Sequence, residues 1–220
     1  MINSIVALII SYLLGAIPFG LIVVKVFTGK DIRTVASGRT GGTNAMRAAG
    51  LFAGLLTGVL DVLKGVATGW VAGWLAPENI WLRVAAAILA IIGHNYSIFL
   101  IEKREQGGFR LRGGAGGATA LGGAIALWPE SGLIILPLGF LVYILVGYAS
   151  VTTISVAVFA TLIFAVRTFF ANSPWQYILY GIVTYGIVII ALKPNLQRIK
   201  EGTERAVGLR AKVQKQESNR

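Results

Sequence analysis

Long apolar runs, separated by short polar segments, constrain this chain more than any other feature. Its mean hydropathy is +0.74, and only 13% of its 220 residues are charged. A water-soluble domain of this length carries more charge, because it needs a hydrated surface. The composition therefore predicts an integral membrane protein.

The apolar runs predict an all-α, polytopic fold, because a membrane-spanning helix needs roughly 20 mostly apolar residues. Seven spans can be drawn, the fourth short and rich in small residues, at about 2–24, 51–75, 81–101, 116–128, 132–148, 150–171 and 175–192. Proline-containing turns at 77–80, 129–131 and 172–174 interrupt the helices on one side. We interpret residues 1–196 as one membrane domain and 197–220 as a basic C-terminal tail.

Basic residues are distributed unevenly between the two predicted faces. Most of the 20 lysines and arginines fall between spans one and two, between spans three and four, or after span seven. The positive-inside rule makes these segments cytoplasmic, with the N-terminus outside and the C-terminus inside. The net charge of +11 then indicates contact with anionic lipid headgroups rather than nucleic acid. With no cysteine and one histidine, the sequence predicts no metal site.

Three polar segments on the predicted cytoplasmic face, 30–50, 102–117 and 193–205, mix cations with glycine or amide residues. Within them, SGRTGGTN (37–44) leads into span two, and RGGAGGAT (112–119) leads into span four. Free N–H groups at a helix start and nearby arginines both favour a bound phosphate. A single loop of this kind is more typical of helix packing or orientation, whereas three on one face favour a ligand site.

Two ionisable residues, Asp61 and Lys64, lie three positions apart within span two. Charged residues inside a span are rare and mark either a site or a buried pair, and this spacing lets the two side chains pair on one helix face. His94, at the end of an apolar run, is interpreted as a hydrogen-bonding residue near a helix end. Asp61 and His94 both stay open as the base that accepts a substrate proton.

The order of several motifs carries a family resemblance. These are YLLGAIPFG (12–20), DIRTVASGRTGGTNAMRAAG (31–50), LDVLKG (60–65), GHNYSIFL (93–100), RGGAGGATALG (112–122) and PNLQRIKEGTE (194–204). Together they resemble the acyl-phosphate-dependent glycerol-3-phosphate acyltransferases of bacteria, the PlsY type. The resemblance covers nearly the whole chain.

The resemblance implies a seven-span enzyme of phospholipid biosynthesis in the bacterial inner membrane, with its active site at the cytoplasmic face. Such an enzyme transfers a fatty acyl group from acyl phosphate to the 1-hydroxyl of glycerol 3-phosphate, giving lysophosphatidic acid. Its partners are these two substrates and membrane lipids, with no nucleic acid, cofactor or metal. The residues agree, because an already activated donor needs chiefly placement and charge stabilisation.

Carried onto this sequence, the motifs place substrate binding at Ser37, Gly38, Arg39, Gly41, Thr43, Asn44, Arg47, Arg112, Gly113, Gly114, Gly116, Thr119, Asn195 and Arg198. We expect Ser37, Arg47 and Asn195 to contact substrate. Asp61, Lys64, His94 and Glu204 are expected to support the site, with Glu204 a candidate ion-pair partner of Arg198. No residue is assigned as the catalytic group.

The sequence departs from the family pattern at several motif positions. Arg39 stands where an asparagine is usual, Ala115 replaces a lysine that holds substrate phosphate, and Leu192 replaces a histidine. Ser97 replaces a proline, and the segment 102–111 is longer than usual. We hypothesise that Arg39 restores the charge lost at Ala115. The alternatives are a divergent or inactive member that acts on another phosphorylated acceptor, or a small carrier of anionic metabolites.

Overall fold

The computed structural model describes residues 2–103 and 107–211. It is mostly helical, with one antiparallel β-hairpin. In chain order the elements are α1 (Ile2–Ala16), α2 (Phe19–Thr28), a 3-10 helix (Ile32–Thr34), α3 (Gly42–Ala49), α4 (Leu51–Leu75), α5 (Ile80–Asn95), β1 (Ser97–Lys103), β2 (Phe109–Arg112), α6 (Gly117–Leu127), α7 (Ser131–Leu145), α8 (Ala149–Ala171) and α9 (Gln176–Lys200).

Helix length and composition support a membrane protein. Among the described residues, four helical segments are long and apolar enough to cross a bilayer: Ile2–Thr28, Leu51–Leu75, Ala149–Ala171 and Gln176–Lys200. The helices α5, α6 and α7 are also apolar but shorter. Large apolar side chains cover their outer surfaces, as a hydrocarbon solvent requires, and small residues face inward.

Small residues allow the central helices to pack closely. A Cβ atom on Gly122 of α6 would overlap the carbonyl oxygen of Val62 on α4, so only glycine fits this crossing. Larger residues fill the space between α8 and α9, where Phe164 packs against Tyr180 with ring centroids 6.2 Å apart. The Tyr180 hydroxyl donates to the Ala120 carbonyl at 2.5 Å, which satisfies its polar group in the apolar core.

The predicted first span is broken into two helices. α1 ends at Ala16 and α2 begins at Phe19, with Pro18 between them. Proline has no N–H to continue the helical ladder, so carbonyl groups before it lose their partners. At this break the Ile17 carbonyl accepts from the Phe19 N–H at 3.1 Å and from Lys64 Nζ, which reaches across from α4, at 2.9 Å.

The prediction of a third span over 81–101 was wrong at its C-terminal end. α5 ends at Asn95, and the next residues form β1, which pairs with β2 through Ile101 opposite Leu111 and Glu102 opposite Arg110. The fold is therefore not wholly helical. Ser97, at the departure from the helix, donates its hydroxyl to the Ala16 carbonyl at 2.5 Å. Apolar character alone does not distinguish a strand from a helix end.

Two further boundaries differ from the sequence prediction. The segment 37–44 leads into a separate eight-residue helix, α3, rather than directly into α4. α9 continues to Lys200, past the predicted end at residue 192 and past the division between domain and tail. Residues 104–106 of the long segment and 212–220 of the predicted tail lie outside the described residues.

Candidate active site

The three polar segments meet at one cleft of about 570 Å³. One wall comes from the loop before α3, another from β2, a third from the end of α5, and the last from α9. The lining residues are Ser37, Gly38, Arg39, Asn95, Tyr96, Phe109, Arg110, Leu111, Arg112, Gly113, Ile190, Ala191, Pro194 and Arg198. Four of them are arginines, so the cleft is strongly cationic.

Arg39 joins all three segments. Its guanidinium donates to the Gly114 carbonyl at 3.0 Å, to the Ala191 carbonyl, and to Oδ1 of Asn195 at 3.4 Å. Burial, and secondarily the charge of Arg198, lowers the pKa of Arg39, yet arginine keeps its proton at neutral pH. Arg39 is therefore a fixed positive charge between the glycine-rich loop and α9.

Asn44 holds the first loop in shape. Its side-chain amide donates to the carbonyls of Ile32, Val35 and Arg39 at 2.9 to 3.2 Å, and its Oδ1 accepts from the Ser37 N–H at 3.4 Å. The loop needs this support because Ala36 and Gly38 both adopt positive φ angles. The structure thus places Asn44 beneath the loop, while Ser37 lies on the cleft wall.

The glycine-rich loop 113–116 lies directly on α5. The Gly114 N–H donates to the His94 carbonyl at 2.9 Å, and the Gly113 carbonyl accepts from the Thr40 N–H at 3.3 Å. A Cβ on Gly114 would overlap Nε2 of His94. Gly116, with φ of +90°, then precedes α6. Thr119, one turn into α6, is buried and outside the cleft lining.

An ion-pair network braces the cleft beside the hairpin. Arg33 binds Asp31 at 2.7 Å and Glu102 at 3.3 Å, and Arg112 also binds Glu102 at 3.1 Å. Hydrogen bonds from Arg33 hold the pKa of the Asp31 carboxyl below its ordinary value. The guanidinium of Arg112 also lies against Gly38, where a Cβ would approach it to 2.7 Å. The network therefore connects the first loop to both strands.

The segment after α9 folds back onto that helix. Glu204 is buried and accepts from Asn195 Nδ2 and from Arg198 Nε, both at 2.8 Å. The predicted pair of Arg198 with Glu204 is therefore present. Because Glu204 takes the amide hydrogen of Asn195, the Asn195 Oδ1 atom is turned toward Arg39.

Asp61, Lys64 and His94 form one buried cluster behind the glycine-rich loop. Lys64 Nζ lies 2.9 Å from Asp61 Oδ1, and His94 Nδ1 lies 3.5 Å from the same oxygen. The sequence suggested the first pair, while His94 joins it only through the packing of α5 on α4. None of the three lines the cleft.

The remaining predicted residues are placed around the cleft rather than in its lining. Gly41 and Thr43 lie at the start of α3 and are partly exposed. Arg47 follows on α3, where burial, and secondarily Arg205, lowers its pKa. Within the described chain no carboxylate lies within ion-pair distance of Arg47.

Sequence reasoning missed several lining residues. Phe109, Arg110 and Leu111 were missed because the hairpin was not predicted, and Ile190 and Ala191 because they belong to the apolar part of α9. Pro194 lies in the predicted polar segment 193–205 but was not assigned to the site. Asn95 lies within the motif 93–100, next to His94, but was not assigned to the site. It is buried, and in the described part of the chain its amide has no hydrogen-bond partner. Its place directly after the single histidine was the available signal.

Fold and site together define a helical integral membrane protein with an arginine-rich cleft suited to a phosphorylated ligand. The model of the glycerol-3-phosphate acyltransferase family matches residues 5–202. This chain belongs to that family, which confirms the resemblance drawn from the motifs.

Curated relatives and solved structures agree with this membership. A glycerol-3-phosphate acyltransferase of Thermus thermophilus is 33% identical, covering 94% of this chain and 96% of its own. The glycerol-3-phosphate acyltransferase of Rubrobacter xylanophilus is 35% identical, and the alignment covers 94% of this chain and 97% of that relative. A similar solved structure is the crystal structure of PlsY, an integral membrane glycerol 3-phosphate acyltransferase, in its glycerol 3-phosphate form. It aligns with a TM-score of 0.79 and 30% sequence identity, and the alignment covers 93% of this chain and 96% of that chain. Its lysophosphatidic acid form has a TM-score of 0.78 at 28% identity, covering 94% and 96%.

Proposed function

We propose that this protein transfers a fatty acyl group from acyl phosphate to the 1-hydroxyl of glycerol 3-phosphate, giving lysophosphatidic acid for phospholipid synthesis. The observation that carries the proposal is the cleft in which all three motif segments meet around Arg39. Family membership supplies the acceptor and the acyl-transfer chemistry. The acyl phosphate donor is inferred from the motifs and from the cationic lining.

The chemistry needs little beyond placement. The acceptor hydroxyl oxygen attacks the acyl carbonyl carbon, and the bond from that carbon to the phosphate oxygen breaks. Phosphate leaves with that electron pair and takes up the hydroxyl proton, so the products are the ester and hydrogen phosphate. Both reactants are anionic, so Arg39, Arg110, Arg112 and Arg198 are suited to hold their phosphate groups together despite mutual repulsion. Fixed cations placed where charge develops also stabilise the transition state.

We assign roles within the site as follows. Ser37 and Asn195 contact substrate, with Asn195 oriented by Glu204. Arg47 contributes positive charge from α3, near enough to Arg205 for mutual repulsion to affect it. The Asp61, Lys64 and His94 cluster holds the glycine-rich loop from behind and does not accept the substrate proton, because none of its members lines the cleft.

Arg39 contacts the backbone beside two positions, Ala115 and Leu192, where this chain departs from the family pattern. It donates to the carbonyl of Gly114, which precedes Ala115, and to that of Ala191, which precedes Leu192. The guanidinium therefore lies within one residue of both departures. We retain the hypothesis that Arg39 supplies the charge that Ala115 does not.

For topology we propose seven spans, with the N-terminus outside and the cleft at the cytoplasmic face of a bacterial inner membrane. Four long and three shorter apolar helices support this count. The arginines that line the cleft support the orientation, since cationic segments are retained in the cytoplasm. The acyltransferase domain extends beyond the predicted division at residue 196, because α9 continues to Lys200 and the segment that follows it binds back onto the fold.

The test is acyl transfer by the purified protein from palmitoyl phosphate to labelled glycerol 3-phosphate, beside the variant Ala115→Lys. We expect lysophosphatidic acid and phosphate in equal amounts from the unmodified protein. Product from Ala115→Lys alone would mean that the site of this chain has diverged from that reaction. Without product from either protein, turnover of another phosphorylated acceptor, or anion flux in liposomes, would replace the proposal.

A further inference from the structure

The β-hairpin carries an apolar surface that has no partner within the described protein. Its large apolar side chains are between 39% and 74% exposed: Ile98, Phe99, Ile101, Phe109 and Leu111. Backbone hydrogen bonds between β1 and β2 and the ion pairs of Glu102 already hold the hairpin in place. An apolar patch of this kind normally marks a contact with a protein or a membrane.

The position of the hairpin identifies the membrane as the contact. Phe109 and Ile190 line the same cleft, and Ile190 is 67% exposed on α9, a helix apolar enough to span a bilayer. The hairpin is also separated from the apolar helix α5 by a single residue. Its apolar surface is therefore continuous with surfaces that lipid must cover.

The charges of the hairpin fit the headgroup layer. Lys103 and Arg110 are exposed, and among the described residues neither has an ion-pair partner. Glu102 is neutralised by Arg33 and Arg112. Aromatic and aliphatic residues next to exposed cations are typical of segments that lie in a membrane interface, particularly one with anionic lipids.

We propose that the hairpin lies in the interfacial layer of the bilayer, with its apolar side chains among the lipid tails and Lys103 among the headgroups, while Arg110 lines the cleft. β2 is also one wall of the cleft, opposite α9. With the hairpin in this position, the side of the cleft that faces the membrane is open to lipid. A long-chain substrate then reaches the arginines without its acyl chain crossing water.

The first experiment measures where the hairpin lies, independently of activity. The chain has no cysteine, so Phe99→Cys and Phe109→Cys can each carry a single environment-sensitive fluorophore in nanodiscs. We expect strong quenching by brominated phospholipids and weak quenching by iodide. Lys200→Cys, exposed at the end of α9, is the control and should show the reverse. If iodide quenched the labels on the hairpin and brominated lipid did not, the proposal would be overturned.

The second experiment tests the sideways opening and rests on the proposed function. Phe109→Ser should raise the ratio of KM for palmitoyl phosphate to KM for water-soluble butyryl phosphate roughly tenfold, since one phenyl ring leaves the apolar path. Phe170→Ser, which is 86% exposed at the far end of α8, should leave the ratio unchanged. An unchanged ratio in Phe109→Ser would refute the opening. Failure of the unmodified protein with both donors would refute the acyl-transfer proposal instead, and quenching would still decide the lipid contact.

Discussion

Arg39 shows how one side chain can set both the shape and the charge of a site. It donates to a carbonyl in the glycine-rich loop, a carbonyl of α9 and the amide of Asn195. Shortening it removes a cation from the cleft and also leaves these acceptors without their donor. The two effects act in the same direction, because both weaken the binding of an anionic substrate.

The first prediction concerns Arg39→Asn, which places the usual family residue here. Loss of a charge-assisted hydrogen bond costs about 1.5–3 kcal/mol, so the KM for glycerol 3-phosphate should rise roughly 10- to 100-fold. Steady-state kinetics measure the change, with Lys30→Asn, an exposed cation outside the cleft, as the control. Unchanged binding in Arg39→Asn would show that Arg39 does not compensate for Ala115.

The second prediction concerns the buried pair. Asp61→Asn leaves the Lys64 ammonium in the interior without its counter-charge, and breaking such a pair costs about 3–5 kcal/mol. The apparent melting temperature in detergent should therefore fall steeply. The double variant Asp61→Asn with Lys64→Met should be more stable than Asp61→Asn alone, because no unpaired charge remains. Equal melting temperatures for the two variants would mean that the unpaired Lys64 ammonium does not destabilise the fold.

The third prediction tests the contact between the glycine-rich loop and His94. Gly114→Ala should displace the loop, because the added methyl group would overlap the imidazole, and we expect acyl transfer to fall by at least roughly tenfold. Gly73→Ala is the matched control, since nothing lies within 4 Å of its Cβ position. If both variants transferred acyl groups at the unmodified rate, the loop would not need its present position.

At the scale of elements, the segment that follows α9 folds back and contacts several helices. Glu204 binds Asn195 and Arg198, the Val207 N–H donates to the Gly147 carbonyl at 2.9 Å, and Arg210 stacks on Tyr148 at 4.6 Å. The segment thus connects α9 to the link between α7 and α8. It also orients one of the side chains assigned to substrate.

The fourth prediction is a graded loss of activity at Glu204. Glu204→Gln keeps an acceptor for Asn195 but loses the charge that pairs with Arg198, whereas Glu204→Ala loses both partners. The KM for glycerol 3-phosphate should therefore rise in the order unmodified, Gln, Ala. Glu201→Ala, on the exposed turn three residues earlier, should match the unmodified protein. If the KM rose more in Glu204→Gln than in Glu204→Ala, the loss of these two contacts would not be the cause of the rise.

At the scale of the whole molecule, an odd number of spans puts the two ends on opposite sides of the membrane. Asn3→Cys and Lys200→Cys mark exposed positions near each end, in a chain otherwise free of cysteine. An impermeant maleimide should label residue 3 in right-side-out vesicles and residue 200 in inverted vesicles. Labelling of both from the same side would require an even number of spans.

The sequence alone was sufficient for features that depend on neighbouring residues. Apolar runs predicted the membrane class and placed α4 and α8 to within a residue. Proline-containing turns predicted the breaks between helices, and the motif order predicted the family. These properties are local because hydropathy, turn chemistry and motif spacing all depend on consecutive residues.

Tertiary structure decided the features that depend on distant partners. Residues 97–103 were as apolar as a helix end, and pairing with β2 made them a strand. Arg39 reaches Gly114, 75 residues away, and Asn195, 156 residues away. Likewise, His94 meets Asp61 only because α5 packs beside α4. Such contacts depend on how the helices pack, which short-range patterns do not encode, so the composition of the site could be predicted but its geometry could not.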